Sequence, residues 1–494
     1  MDDYLSGTIY KKIINRNENF KLYPLSYCKT KGIELQMVTL NSTRYIAAYG
    51  EGLYYDAFIG QNIEDSLKIC PLTHSNRLAL NKCLDYTNPQ PFGKNTATFG
   101  AGDRLGLASP GHIRTISKSF AKPVLAQQSK RELELTSRTY HDVLDSASFA
   151  VFQEGYKNGF GADGDHLKLE YDIIEALNCG YTMITLDCSE KIGKDIESLS
   201  ASKLNNLYSR IPSDTRIKLE KKYLGYTFNI NGYSIRYTKN ELVKDILIYY
   251  EAILYITYIY NKYISTCGRD IDFEISIDET DSVTSEHGHF FVASELADVE
   301  IDVTSIAPRF VGEFQKGIDY MGDIKAFEKQ LEIHAAIADY FGYKLSIHSG
   351  SDKFSVFHLI GSYTRKRLHI KTSGTNWLEA IGTIAECNPL LYRAIHKYAI
   401  KHFNEAKNHY HVSSDISKIP DVDTVSDEFL KKYLDDNNSR QLLHITYGYV
   451  LKNSEIKSSI YDTLSQNENI YISRLERHIG RHLELTGLNK RIET

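Results

Sequence analysis

The 494-residue sequence predicts an α/β fold, a (β/α)8 TIM-type barrel with a small β-rich N-terminal extension and a helical C-terminal appendage. Three observations predict it. From residue 98 onward, short strand-like runs alternate with longer helix-like ones. The strand-like runs number eight, at 98–102, 123–128, 160–165, 181–187, 272–278, 301–309, 343–348 and 367–372. Nearly every one ends in an ionisable or amide side chain, as expected where strand ends converge on one rim. A doubly wound open sheet shares the alternation and is the competing architecture.

Each part follows from local pattern. Residues 1–96 hold weakly alternating strands, 32–40 and 44–48, with turns at Asn41 and Gly50. The barrel is placed at 97–403, where periodic segments at 140–156, 169–178, 241–264, 324–341 and 377–403 are long enough to cross back over a parallel sheet. A polar stretch at 189–240 reads as an insertion after the fourth strand, and 404–494 as the helical C-terminal region.

Alternation within the strands decides which groups face the barrel axis. In YKLSIH, Leu345 and Ile347 face the helices, leaving Ser346 and His348 inward; in RLHIKT, His369 and Lys371 face inward. In DFEISIDE the inward set is Glu274, Ser276 and Asp278. Barrel cores are usually filled with branched apolar side chains, so polar interiors point to a hydrated, charged substrate at the C-terminal face.

Composition narrows the function. A formal charge of -5 with both signs interspersed gives no basic footprint for nucleic acid. Seven cysteines without CxxC pairing read as reduced, buried thiols of a cytoplasmic protein. No apolar signal segment opens the chain, and the apolar run at 246–260 is shorter than the roughly 20 residues of a span, so it reads as a buried helix. The expected partner is a small molecule, with no membrane and no nucleic acid; a homo-oligomer is compatible with these features.

The strand ends supply the chemistry. His166, Glu279 and His348 are the favoured metal ligands, two imidazoles and a carboxylate that leave positions open for substrate oxygens. The cofactor expected is a divalent metal ion: zinc, manganese, cobalt or nickel. Asp165, Asp187 and Asp278 are alternative ligands or acceptors behind them. Arg104, Lys168, Arg309, Lys353 and Lys371 add positive charge to the same rim, with Ser351 and Asp352 in the glycine turn of IHSGSDKF, which suits an acidic substrate. His287 and His289 form an HxH before a helix-like run and read as solvent-exposed or substrate-loop histidines. The glycines of FGAGDRLGLASPG are spaced GxGxxxG rather than GxGxxG, against a dinucleotide loop. No P-loop, GxSxG or HExxH occurs.

FGAGDRLGLASPGHI, FGADGDHLK, ISIDETDS, IHSGSDKFSVF, HIKTSGTNWLEA and HYHVSSD, in this order between residues 99 and 415, together resemble the tagaturonate epimerase family. The resemblance implies a metal-dependent isomerase acting on a 5-keto-hexuronate in hexuronate catabolism, on a barrel scaffold. D-tagaturonate and D-fructuronate differ at carbon 3, which is β to the ketone at carbon 5, so enolisation cannot invert it. Retro-aldol cleavage between carbons 3 and 4, then re-addition to the other aldehyde face, would. Asp165 or Asp278 is expected to take the carbon-3 hydroxyl proton, and Lys371 or Lys353 to hold an oxyanion or the substrate carboxylate. The alternatives are a related metal-dependent ketose isomerase or aldolase, and a non-catalytic sugar-acid binding protein.

Overall fold

The computed structural model describes residues 3–14, 16, 20–280, 282–372 and 374–490. Eight parallel strands close on themselves: β1 (Thr98–Ala101), β2 (Lys122–Ser129), β3 (Gly161–Leu167), β4 (Met183–Asp187), β5 (Asp272–Ile277), β6 (Ser305–Pro308), β7 (Lys344–Ile347) and β8 (Leu368–Thr372). Each pairs with the next, and β8 returns to β1 with Thr372 opposite Ala101, so the open-sheet alternative is ruled out by closure. All eight strands lie within or across the runs read from the sequence.

The crossovers are helices with identifiable start signals. Thr139 and Asp142 form a capping box on helix Tyr140–Gln153, and Thr238 and Glu241 form another on helix Lys239–Ile259. The latter buries Leu242, Ile246, Ile253 and Ile256 against the barrel. Among the described residues no helix is long and apolar enough to cross a membrane. The periodic segment 377–403 is two helices, Gly374–Cys387 and Pro389–Lys407. Pro389 lacks an N–H to continue the first, and the Asn388 side chain accepts from Leu391 N to start the second. The HxH pair also departs from expectation. In helix Glu286–Asp298, His289 is buried, hydrogen-bonded to His334 Nδ1 at 2.8 Å and to the Tyr343 hydroxyl at 2.7 Å, while His287 is half-buried. Helical spacing had placed the two on different faces.

Before the barrel lies a six-stranded antiparallel sheet containing Ile33–Leu40 and Thr43–Tyr49. Its inner face, with Leu35, Met37 and Ile46, packs with Phe149 and Phe152 of the helix after β2. Each fully buried side chain of this size contributes about 1.5–3 kcal/mol. After β8, helices Asn437–Ile445, Tyr447–Lys452, Ser454–Gln466 and Glu468–Leu485 build a second core with Trp377, Ile381 and Ile395. Glu468 ties both ends of the chain together, accepting from Lys21 Nζ at 2.8 Å, Tyr23 Oη at 2.8 Å and Arg44 Nη2 at 2.7 Å. The seven cysteines are unpaired. Asp103, in the glycine-rich loop after β1, accepts from the backbone of Leu105, Gly106, Ala108 and Ser109, so that loop is braced internally.

Candidate active site

The barrel interior is ionic. Lys371 Nζ lies 2.8 Å from Asp163, 2.6 Å from Asp165 and 3.0 Å from Glu274, and also donates to Thr185. These side chains come from β8, β3, β5 and β4, all inward by strand alternation. Burial works against the ammonium, but the three carboxylates hold Lys371 well above the usual lysine range. Burial pushes Asp163 up to about 6 against the pull of Lys371. Asp165 and Glu274 sit well below the usual carboxylate range, because Lys371 and a histidine beside each outweigh burial.

Above this network two imidazoles face each other. Regular alternation puts Asp163 and Asp165 inward and would turn His166 outward. His166 instead has φ 54°, and the pairing of β3 with β4 slips between Ile184 and Leu186. This irregularity brings the imidazole to the mouth, its ring centroid 4.7 Å from that of His348. His166 Nδ1 is held by Asp165 at 2.9 Å, and His348 Nε2 by Glu274 at 2.7 Å. Asp278 Oδ1 lies 3.0 Å from His348 Nδ1, which is buried and makes no hydrogen bond.

One ligand atom from each of His166, Asp278 and His348 lies within 4.8 Å of the others. This donor set fits a divalent cation. Each imidazole has its far nitrogen on a carboxylate, which fixes the ring and leaves the near nitrogen for a metal. Glu279 is 3.9 Å from His166 Nε2 and exposed at the rim, so the grouping contains Asp278 where the sequence favoured Glu279. Burial opposes their charge, yet Asp165 holds His166 up at about 10 and Asp278 raises His348.

These groups line a cavity of about 370 Å³ that opens at the C-terminal ends of the strands. Asp187 is there too, its Oδ2 buried without a hydrogen bond; burial pushes it above the usual carboxylate range despite His166. Lys168 lies 3.4 Å from Asp187 and 3.8 Å from Glu279. Arg104 lines the wall but spends its fork on Glu132, at 2.8 and 2.9 Å, stacked on Tyr447. Lys353 donates to the carbonyls of Gln315, Ile318 and Ser351. Arg309 donates to the Thr280 carbonyl and lines an adjoining hollow. Ser351 is on the cavity wall, whereas Asp352 points away, 2.6 Å from Arg440 and 3.4 Å from His478.

Asp352, His478 and His482 form a second grouping within 4.8 Å, but its histidines are occupied by protein partners. His482 accepts the Asp352 N–H on Nε2 and donates from Nδ1 to the His478 carbonyl, and His478 Nε2 is hydrogen-bonded to the Thr375 hydroxyl. Sequence reasoning did not single out Arg131, Lys316, Tyr410 or His444, which reach the cavity from connecting segments and the C-terminal helices.

Fold and cavity together define an eight-stranded barrel with a polar, ionic pocket at its C-terminal rim, the place where barrel enzymes hold small ligands. A sequence profile described as tagaturonate epimerase matches residues 23–486. A tagaturonate/fructuronate epimerase of Thermotoga maritima is 40% identical over 472 residues, covering 94% of this chain and 97% of the relative. The native crystal structure of the fructuronate-tagaturonate epimerase of Cohnella laeviribosi superposes with a TM-score of 0.94 at 49% identity, over 97% of this chain and 99% of that one. Its glycerol complex gives the same TM-score and identity, over 98% and 99% of the two chains. The chain belongs to the tagaturonate epimerase family, and is an isomerase-class enzyme.

Proposed function

We propose that this enzyme interconverts D-tagaturonate and D-fructuronate by retro-aldol and aldol steps at the barrel mouth, with a divalent cation held by His166, Asp278 and His348. The observation that carries the reading is the pair of imidazoles, each backed by a buried carboxylate, converging with Asp278 inside a chain of this family. Zinc, manganese, cobalt and nickel all suit two imidazoles and a carboxylate. When bound, such an ion supplies Lewis acidity toward substrate oxygens.

The protein groups divide the remaining work. A base takes the carbon-3 hydroxyl proton, the bond between carbons 3 and 4 breaks, and its electrons pass into an enediolate over carbons 4 and 5. Carbon 3 is then an aldehyde. Rotation exposes its other face, the bond re-forms, and the same acid returns the proton to the new alkoxide. Of the carboxylates expected for this role, Asp165 is held low by Lys371 and His166, and Asp278 by His348, which makes both weak bases. Asp187 fits better: it lines the cavity, has a buried oxygen that makes no hydrogen bond and lies 3.4 Å from the Lys168 ammonium, and burial raises its basicity. Lys371 has its donors on Asp163, Asp165, Glu274 and Thr185, so it anchors the acids under the site and does not reach for substrate.

The test is turnover of D-tagaturonate by purified protein in D2O, before and after chelation. The product expected is D-fructuronate with no deuterium at carbon 3 or 4, lost on chelation and restored by a divalent ion. Deuterium at carbon 3, or full activity without metal, would refute the path. Accumulated three-carbon fragments would favour an aldolase.

A further inference from the structure

A cation that lines a cavity without a carboxylate partner offers a place for an anion, because its charge is only partly met by water there; Lys316 is half-buried at the cavity wall and Arg131 exposed at its rim. At this mouth Arg104 and Lys371 are paired with carboxylates, while Lys353 spends its N–H groups on three backbone carbonyls and Arg309 one of its own on the Thr280 carbonyl. Two further cations on the cavity wall are less fully engaged. Among the described residues, neither Lys316 nor Arg131 forms an ion pair with a carboxylate. Lys316 Nζ donates to Ser349 Oγ at 2.8 Å, and Ser349 directly follows His348, so the ammonium stands beside the proposed cation site. Arg131 lies over the Tyr410 ring at 4.7 Å and gives one N–H to the His409 carbonyl. The two are close enough to repel: after burial, Arg131 is the main influence that lowers the Lys316 ammonium.

A third group faces the same space. His444, in helix Asn437–Ile445, is 1% exposed and lines the cavity, yet neither ring nitrogen has a hydrogen-bond partner among the described residues. Burial, with Arg104 and Lys316 nearby, keeps it neutral, so it has one N–H to give. The same helix positions the Lys316 segment: Gln441 donates to the Lys316 carbonyl and Arg440 to that of Gly317.

We propose that Lys316, Arg131 and His444 form the carboxylate subsite for the sugar acid, and that this trio, rather than Arg104, Lys353 or Arg309, selects uronates over neutral ketoses. This rests on the uronate reading above. A carboxylate there accepts from the ammonium, the guanidinium and the neutral imidazole together, and puts the rest of the keto sugar toward His348. A neutral ketose leaves the buried His444 N–H and the half-buried Lys316 ammonium without the carboxylate they would share, and binds more weakly for that reason.

The experiment compares wild type, Lys316→Met, Lys316→Arg and His444→Leu with D-tagaturonate as substrate and D-tagatose, which lacks the carboxylate, as competitive inhibitor. Lys316→Met is expected to raise KM for tagaturonate about 10- to 100-fold, with kcat and metal content close to wild type and the D-tagatose inhibition constant unchanged. His444→Leu raises KM about 3- to 10-fold in the same selective way, and Lys316→Arg recovers part of the loss. An unchanged KM in Lys316→Met, or an equal weakening of tagaturonate and D-tagatose, overturns the subsite. If wild type fails to turn over tagaturonate, the functional reading falls separately. Calorimetric binding of malonate then decides the subsite: loss in Lys316→Met supports it, and retention overturns it.

Discussion

Asp165 holds His166 up at about 10 and Asp278 raises His348, so both imidazoles favour the protonated form more than a free imidazole does. A metal binds only the neutral imidazoles, so it must displace those protons. The sign follows. Raised pKa values make the protonated form compete at every pH below them, so apparent metal affinity falls as pH falls, about tenfold per unit for each proton displaced. Calorimetry in buffers of different ionisation enthalpy should register proton uptake by the buffer at neutral pH; zero release would contradict the assignment. Asp165 and Glu274 orient these rings, and Asp165→Asn or Glu274→Gln is expected to weaken metal binding about 10- to 100-fold while leaving the ligands in place. Equilibrium dialysis with zinc checks this, and wild-type affinity in both variants would count against it. Part of this was legible in the residues. The period-two spacing of DFEISIDE and YKLSIH aimed Glu274, Asp278 and His348 inward. Asp163 shared the spacing of Asp165 and could have been read the same way. The left-handed turn at His166 has no signature in FGADGDHLK, since a histidine at φ 54° is held there by its surroundings.

At the scale of elements, the loop from Ser349 to Lys353 and helix Gly374–Cys387 make the site's wall together with the C-terminal helices. A Cβ built on Gly374 would lie 1.7 Å from His444 Nε2, so that helix begins where the imidazole rests on bare backbone. Gly374→Ala should therefore displace His444 and raise KM for tagaturonate with little change in metal content; a wild-type KM would show that the ring has room to move. Glu468 works away from the cavity lining, holding Lys21, Tyr23 and Arg44 of the N-terminal sheet. Glu468→Ala leaves a largely buried arginine without its partner, and is expected to cost about 3–5 kcal/mol, seen as faster amide exchange in strands Ile33–Leu40 and Thr43–Tyr49. Element type was readable because alternation and helical period are local. Which loop meets which helix was not: Lys316 sits in an aperiodic segment, and nothing near His444 in sequence signals a cavity.

For the whole molecule, the proposed ligands come from β3, the turn after β5, and the residue after β7, so a bound cation bridges strands that are not neighbours in the barrel. Binding that depends on closure stabilises only the folded barrel. At a free metal concentration about 100 times the dissociation constant this contributes about 2.7 kcal/mol, which for a chain of this length unfolding as one unit shifts Tm by about 3 °C. The shift should vanish in His166→Ala/His348→Ala and persist in His478→Ala, because the Asp352, His478 and His482 grouping already spends its nitrogens on Thr375, the Asp352 N–H and the His478 carbonyl. Differential scanning calorimetry with and without zinc separates the cases. A shift that survives loss of His166 and His348 but disappears with His478 would move the metal to the C-terminal helix, and with it the basis for catalysis at the barrel mouth.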